Sequence, residues 1–172
     1  GVIPQIAVIG GVCAGLSATA AAMFDLTVTV EGKSQLFVGA PFLTGKDGAA
    51  GSVAADGLSS VTAKDEADAF AKVRALLGLL PSNCASLPEE IGNDDPNRTS
   101  EIAGLAVRDA IAVVTDCGSF TEIGEKFGAG MVTGLALLGG YPCGVVANDA
   151  AVSGGVLTEN GGQIRIKEQG GY

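Results

Sequence analysis

"IAVIGGVCAGLSA", Ile6 to Ala18, decides how the rest of the chain is read. Gln5–Ile9 is a short apolar run with β-branched residues that stops at Gly10-Gly11, and such a run predicts a buried parallel strand entering a turn. The small residues from Ala14 to Met23 predict a tightly packed helix. Leu26–Val30 (LTVTV) is rich in β-branched residues and predicts a second strand, with Ser34–Val38 as a third strand or a loop element. Strand, helix, strand at this spacing favours parallel pairing.

The same stretch resembles the glycine fingerprint of a dinucleotide-binding domain, G-x-G-x-x-G, and the match is incomplete. Counting from Gly10, the second glycine, which lets backbone approach a pyrophosphate, is replaced by Val12. Gly15 does fill the third place, and Glu31 stands at the end of the second predicted strand, where an acidic residue would bind ribose. No alternating β-α units follow Pro81. A glycine turn used only for chain reversal competes with that reading.

At 172 residues the chain has the length of one ordinary domain, or of two incomplete ones. With 47% hydrophobic residues, 17% charged and 27 glycines it is a small-residue-rich α/β chain, not a disordered one. Ten basic residues against nineteen acidic leave a formal charge of −9, which disfavours phosphate backbones and anionic lipid, so nucleic acid is not an expected partner. Cys13, Cys84, Cys117 and Cys143 form no CxxC pair and there is no histidine, so no metal site is expected and the thiols read as reduced and buried. No basic, apolar leader opens the sequence and no apolar run reaches membrane-spanning length. The reading is a soluble, cytoplasmic protein.

Thr44–Ser60 shows no clear period and predicts loops. A helix is predicted over Glu66–Leu80, with Phe70, Val73, Leu77 and Leu80 on one face, Asp68, Lys72 and Arg74 on the other, and Pro81 as its stop. "SNCASLPEEIGNDDPNR", Ser82–Arg98, combines prolines, acids and turn formers and reads as a linker. The change of pattern there predicts that no continuous parallel sheet joins Ile6 to Val145. Val107, Ile111 and Val114 predict a helix with Gly118 as its C-cap glycine. Met131–Leu137 and Cys143–Ala147 predict two strands of a hairpin turning at Gly139-Gly140. The tail Gly161–Tyr172 is expected to be mobile.

A glycine turn at the start of a helix aims unpaired backbone N–H groups at negative charge and can form an oxyanion hole. The candidate donors are the amides of Gly15 and Leu16. This role needs no side-chain acid or base, which suits a chain without histidine.

"PQIAVIGGVCAG" (Pro4–Gly15), "EGKSQLFVGAP" (Glu31–Pro41), "LLPSN" (Leu79–Asn83), "DDPNR" (Asp94–Arg98) and "GSFTEIGEKFGAGMVTGLALLGGYPCGVVAN" (Gly118–Asn148) occur in one order over most of the chain. Together they resemble the carboxyltransferase subunits of biotin-dependent acyl-CoA carboxylases and decarboxylases. The resemblance implies an α/β fold of the ClpP/crotonase-like superhelical kind, here as two partial halves joined by a linker. It implies residues 1–81 as the C-terminal part of the acyl-CoA half, 82–100 as linker and 101–172 as the start of the biotin half, so that the chain is the middle part of a longer subunit, or a split or degenerate one.

The activity so implied is carboxyl transfer between an acyl-CoA (malonyl-, methylmalonyl- or related) and biotin. Gly15 and Leu16 are the implied oxyanion donors, and Cys13, Ala14, Ser34, Gln35 and Phe37 the substrate-binding residues. Biotin on a biotin carboxyl carrier protein is the implied cofactor and the CoA thioester the substrate. Implied partners are further copies or other carboxylase or decarboxylase subunits, with a membrane reached only through a partner subunit. Two departures stand out: the family usually has glycine where this chain has Leu16, and often has histidines in the region of Val53–Ser60.

Several residues carry two readings. Glu31, Lys33 and Lys46 read as solvated charges or as a lining for CoA, the lysines facing its phosphates. Asp94, Asp95 and Arg98 read as local turn and cap residues or as a carboxylate pair. Leu36 and Phe37 read as core or as adenine contacts. The competing functions are a non-catalytic structural or assembly subunit and a dinucleotide-binding oxidoreductase.

Overall fold

The structure is a computed structural model that describes residues 2–87, 89–92, 94–95 and 98–159. The tail read as mobile lies outside the described residues. The chain divides into two compact units, Pro4–Arg74 and Gly1–Ile3 with Ala75–Tyr172.

The first unit runs β1 (Ile6–Ile9), β2 (Val12–Ala14), α1 (Leu16–Ala22), β3 (Leu26–Val30), β4 (Gln35–Phe37), α2 (Pro41–Thr44), α3 (Ala50–Ala55) and β5 (Val61–Ala63). It then enters α4 (Glu66–Leu79), within which the division falls. β1, β3 and β5 form a parallel sheet in that order, with Ile6 opposite Leu26 and Val28 opposite Val61. β3 lies in the middle. Four of its five residues, Thr27 to Val30, are buried, as expected of a central parallel strand covered on both faces. Its two threonines are tolerated there because each hydroxyl finds a partner: Thr27 Oγ1 donates to the Ala21 carbonyl, and Thr29 Oγ1 shares a 2.7 Å hydrogen bond with Ser59 Oγ.

Alanine lets α1 form and lets it approach the sheet closely. Ala18 and Ala21, three residues apart and so on one face, pack in one cluster with Ala7, Ile9, Leu36 and Val53, and Cys13 lies against it. The region read as loops holds α3 and leads into β5; its alanines and single valine are too short a run to show a helical period.

α4 begins close to the predicted position. Asp65, just before it, accepts the Asp68 amide at 2.8 Å, and Asp68 accepts the Lys64 amide at 2.9 Å, a reciprocal cap on the first turn. The Lys64 amide, with Lys72 beyond it, holds the Asp68 carboxyl below its ordinary pKa. The buried face of α4 differs from the predicted one. Ala69, Leu76 and Leu79 are buried, whereas Phe70 and Leu77 are exposed. The two stripes share Val73 and Leu80, and only the smallness of Ala69 made the wrong flank look more apolar.

In the second unit α5 (Val107–Val114) is followed by β6 (Thr121–Ile123), β7 (Met131–Leu138) and β8 (Tyr141–Asn148), an antiparallel sheet in that order. No sheet among the described residues joins Ile6 to Val145. Leu138 pairs with Tyr141 across Gly139 and Gly140, whose φ values of 59° and 83° make a two-residue turn closed to most side chains. The Asp116 carboxylate, buried, accepts both glycine amides at 2.8 and 2.7 Å and so fixes that turn.

Gly118 is not the cap of α5. The C-cap is Thr115, whose hydroxyl donates back to Ile111 O at 2.8 Å, and Gly118 lies in the turn that follows, at φ 70°. Arg98 donates to the carbonyls of Val113 and Thr115 at the same helix end, where a cation complements the dipole, and pairs with Asp94. Asp94 in turn accepts the Cys117 amide, and the Ile91 amide donates to Gly140 O at 2.6 Å. Asp94 and Arg98 thus act as turn and cap residues. Arg108 of α5 holds Glu122 of β6 through two hydrogen bonds and Asp149 through a third.

Candidate active site

Six of the seven residues expected at the site, all but Ser34, fall along one short parallel ladder and the turn that leaves it. β2 pairs with β4 so that Val12 faces Gln35, Cys13 faces Leu36 and Ala14 faces Phe37. The ladder continues at both ends, where the Gln35 amide donates to Gly11 O at 3.0 Å and the Gly15 amide to Phe37 O at 2.9 Å. Side chains alternate across it. Cys13 and Leu36 turn toward the core cluster, while Val12, Ala14 and Gln35 are exposed on the other face and Phe37 is half-buried there.

Gly48 presses on β4 from its free edge. It sits at φ 63°, accepts the Leu36 amide at 2.7 Å, and a Cβ added to it would stand 2.7 Å from Leu36 O and 2.9 Å from the Phe37 ring. Only glycine fits. Nothing in "KDGAAG" distinguishes this residue from an ordinary loop glycine, because the need for it arises from a strand paired elsewhere.

Gly15 is the N-cap of α1 at φ 61° and ψ −128°, a backbone region that side chains disfavour. Here the structure corrects the expectation that Gly15 and Leu16 both offer free amides: the Gly15 N–H is committed to Phe37 O. Leu16 is the first helical residue, so its N–H and that of Ser17 have no intrahelical acceptor. Leu16 as a whole is 85% exposed.

Ser34 is buried, and its hydroxyl donates to Ile9 O and accepts the Val30 amide at 2.6 Å, so both its polar partners are backbone groups. Gln35 and Phe37 do line the exposed face, whereas Cys13 contributes packing. Lys33 pairs with Glu66, and Lys46 with Asp56, which makes both lysines members of surface ion pairs. Burial, with Asp116 adding to it, pushes the Cys143 thiol up.

A pyrophosphate site of the dinucleotide kind is ruled out by topology. It requires a helix to start at the glycine turn after the first strand, and β2 starts there instead. Among the described residues no group of three or more His, Cys, Asp or Glu side chains is placed to hold a metal ion, and no helix is long and apolar enough to cross a membrane.

Residues 1–164 match the carboxyl transferase domain. The chain is 32% identical, over 93% of its length, to the methylmalonyl-CoA decarboxylase subunit alpha of Veillonella parvula, of which it covers 36%. It is 30% identical, again over 93% of its length, to the methylmalonyl-CoA carboxyltransferase 12S subunit of Propionibacterium freudenreichii subsp. shermanii, of which it covers 34%. Among solved structures, transcarboxylase 12S with methylmalonyl-CoA and methylmalonic acid bound, described as a hexamer assembly, superposes with a TM-score of 0.86 at 28% identity over 96% of this chain and 36% of that one. A single-chain long-chain acyl-CoA carboxylase shares the fold at a TM-score of 0.74 and 21% identity. The chain spans about a third of the length of the curated relatives it matches.

The architecture is the mixed α/β, crotonase-like one of carboxyltransferases. The chain belongs to the carboxyl transferase domain family.

Proposed function

We propose that this chain takes part in carboxyl transfer between an acyl-CoA of the malonyl- or methylmalonyl-CoA class and biotin borne on a carrier protein, and that backbone amides hold the reacting thioester. The observation that carries this reading is the Ala14-Gly15-Leu16 turn: a family member places an orphan helix-start amide at the end of a braced ladder, with no acidic residue in the first turn of the helix. When the bond between the α-carbon and the carboxylate breaks, its electron pair moves toward the thioester and charge develops on the carbonyl oxygen. A fixed N–H, such as that of Leu16, binds that oxygen more strongly in the transition state than in the ground state. Biotin, as second substrate, accepts the carboxyl group on a ureido nitrogen, and the proton from that nitrogen goes to the α-carbon.

In this reading residues 1–81 serve the acyl-CoA side, 82–100 connect, and 101–172 belong to the biotin side. A biotin carboxyl carrier protein and further copies or subunits complete the assembly, as the hexamer assembly described for transcarboxylase 12S suggests. The apolar side chains of Val12, Leu16, Phe42 and Leu43, all strongly exposed, are suited to being covered in such an assembly.

The test is to incubate the protein as it occurs in its cells with methylmalonyl-CoA labelled in the carboxyl group, and to follow the label. Transfer of label to free or carrier-bound biotin is the expected result. Acyl-CoA binding without transfer would favour the non-catalytic subunit, and absence of both would overturn the assignment.

A further inference from the structure

We infer that Ser34 is a positioning residue for the donor turn, an inference that rests on the carboxyl-transfer reading. Its hydroxyl links the ends of β1 and β3 to the start of β4: it donates to Ile9 O and accepts the Val30 amide, from a buried position. The Ser34 amide also donates to Val30 O at 3.0 Å, so both ends of the residue are tied to β3.

From this anchor the geometry runs in one direction. Ser34 fixes where β1 ends and where β4 begins. The next residue, Gln35, donates to Gly11 O and sets the register of β2, and Phe37 O receives the Gly15 amide immediately before the Leu16 donor. β2 and β4 are only three residues each and form a two-stranded sheet of their own, flanked on the β4 side by an isolated bridge from Gln35 to Ala49. Such a ladder has little cooperativity of its own, and its placement relative to the larger sheet depends on the residues that join the two. Ser34 acts through the backbone it holds.

The control is Ser59, another buried hydroxyl of the same unit. It shares a hydrogen bond with Thr29 and donates to Val61 O, partners that belong to β3 and β5 of the larger sheet. Ser34→Ala and Ser59→Ala each remove a doubly bonded buried hydroxyl, so both should lower the unfolding temperature. Ser34→Cys, close in volume with a weaker donor, provides a second variant in case the alanine protein folds poorly.

The experiment measures kcat and KM for labelled-carboxyl transfer, with amide hydrogen exchange at Gly15 and Val28 read in parallel. Ser34→Ala should lower kcat about tenfold, less than the ~10²–10³ expected from losing a donor outright, with KM little changed, because the donor is displaced and not removed. Gly15 exchange should accelerate while Val28, in the centre of the larger sheet, stays protected. Ser34→Cys should fall between wild type and alanine, and Ser59→Ala should keep the wild-type kcat. An unchanged kcat and unchanged Gly15 exchange in Ser34→Ala, or an equal kcat loss in Ser59→Ala, would overturn the inference. If the wild-type protein transfers no carboxyl group, the function assigned above fails; Gly15 exchange then still decides whether Ser34 holds the turn.

Discussion

Gly15→Pro is expected to lower carboxyl transfer by about 10²–10³-fold, the range seen when an oxyanion donor is lost, whereas Cys13→Ala leaves the rate nearly intact. Proline fixes φ near about −65°, and Gly15 sits at 61°. The substitution also deletes the N–H that donates to Phe37 O, the last rung between the β2–β4 ladder and α1. The Leu16 amide then loses the bond that sets its direction. Cys13 faces the core cluster from the opposite side of the ladder, so trimming it to alanine removes a little packing and no donor.

Gly15→Ala separates strain from hydrogen bonding. A Cβ at this position meets no atom within 4 Å, so the cost is confined to the backbone, about 1–3 kcal/mol for a residue held in a sparsely populated φ/ψ region, and the rung survives. Leu16→Gly removes an exposed side chain and keeps the amide, and activity should persist. Initial rates beside circular dichroism check all four variants. A folded Gly15→Pro protein that retains activity while Cys13→Ala loses it would replace the backbone mechanism by a thiol one.

The second large effect lies in the other unit. Gly134→Ala should destabilise the β6–β7–β8 sheet by about 1–3 kcal/mol, the usual range for overpacking, or separate β6 from it. A Cβ on Gly134 would stand 2.4 Å from Thr121 O and 2.7 and 3.0 Å from two atoms of the Phe120 ring. The ring can turn away, but the carbonyl belongs to the backbone of the paired strand, where Thr121 sits opposite Leu135. Phe120→Ala added to Gly134→Ala should therefore recover only part of the loss. β6 also carries Glu122, the bidentate partner of Arg108, so parting the strands loosens that ion pair as well. Thermal unfolding measures the effect, and an unchanged midpoint for Gly134→Ala would show that β6 is not packed against β7 as described.

What could be read from the sequence follows from how each element earns its stability. β1 and β3 are runs of β-branched residues in a buried sheet, and Gly139-Gly140 is local turn chemistry; both leave marks within five or ten residues. The β2–β4 ladder leaves none. Its strands are three residues long, one of them inside the very stretch that looks like a glycine loop, and the partner lies more than twenty residues away. For the same reason nothing local shows that the Gly15 amide is committed, that the Ser34 hydroxyl ties three strand ends together or that Gly48 must be glycine. Each role depends on a backbone partner distant in sequence. The face of α4 was misread for a different reason, since two neighbouring apolar stripes share Val73 and Leu80 and the period alone cannot choose between them. The family, by contrast, was legible from the order of several short motifs.

The most direct measurement is the amide NMR spectrum of the protein, labelled with nitrogen-15, as a CoA thioester analogue carrying a nitronate in place of the enolate is added. The Leu16 N–H should shift strongly downfield, as expected for a donor to an anionic oxygen, while the Gly15 N–H keeps its bond to Phe37 O and moves little. A Leu16 amide that stays in place while the analogue binds elsewhere on the chain would contradict the account.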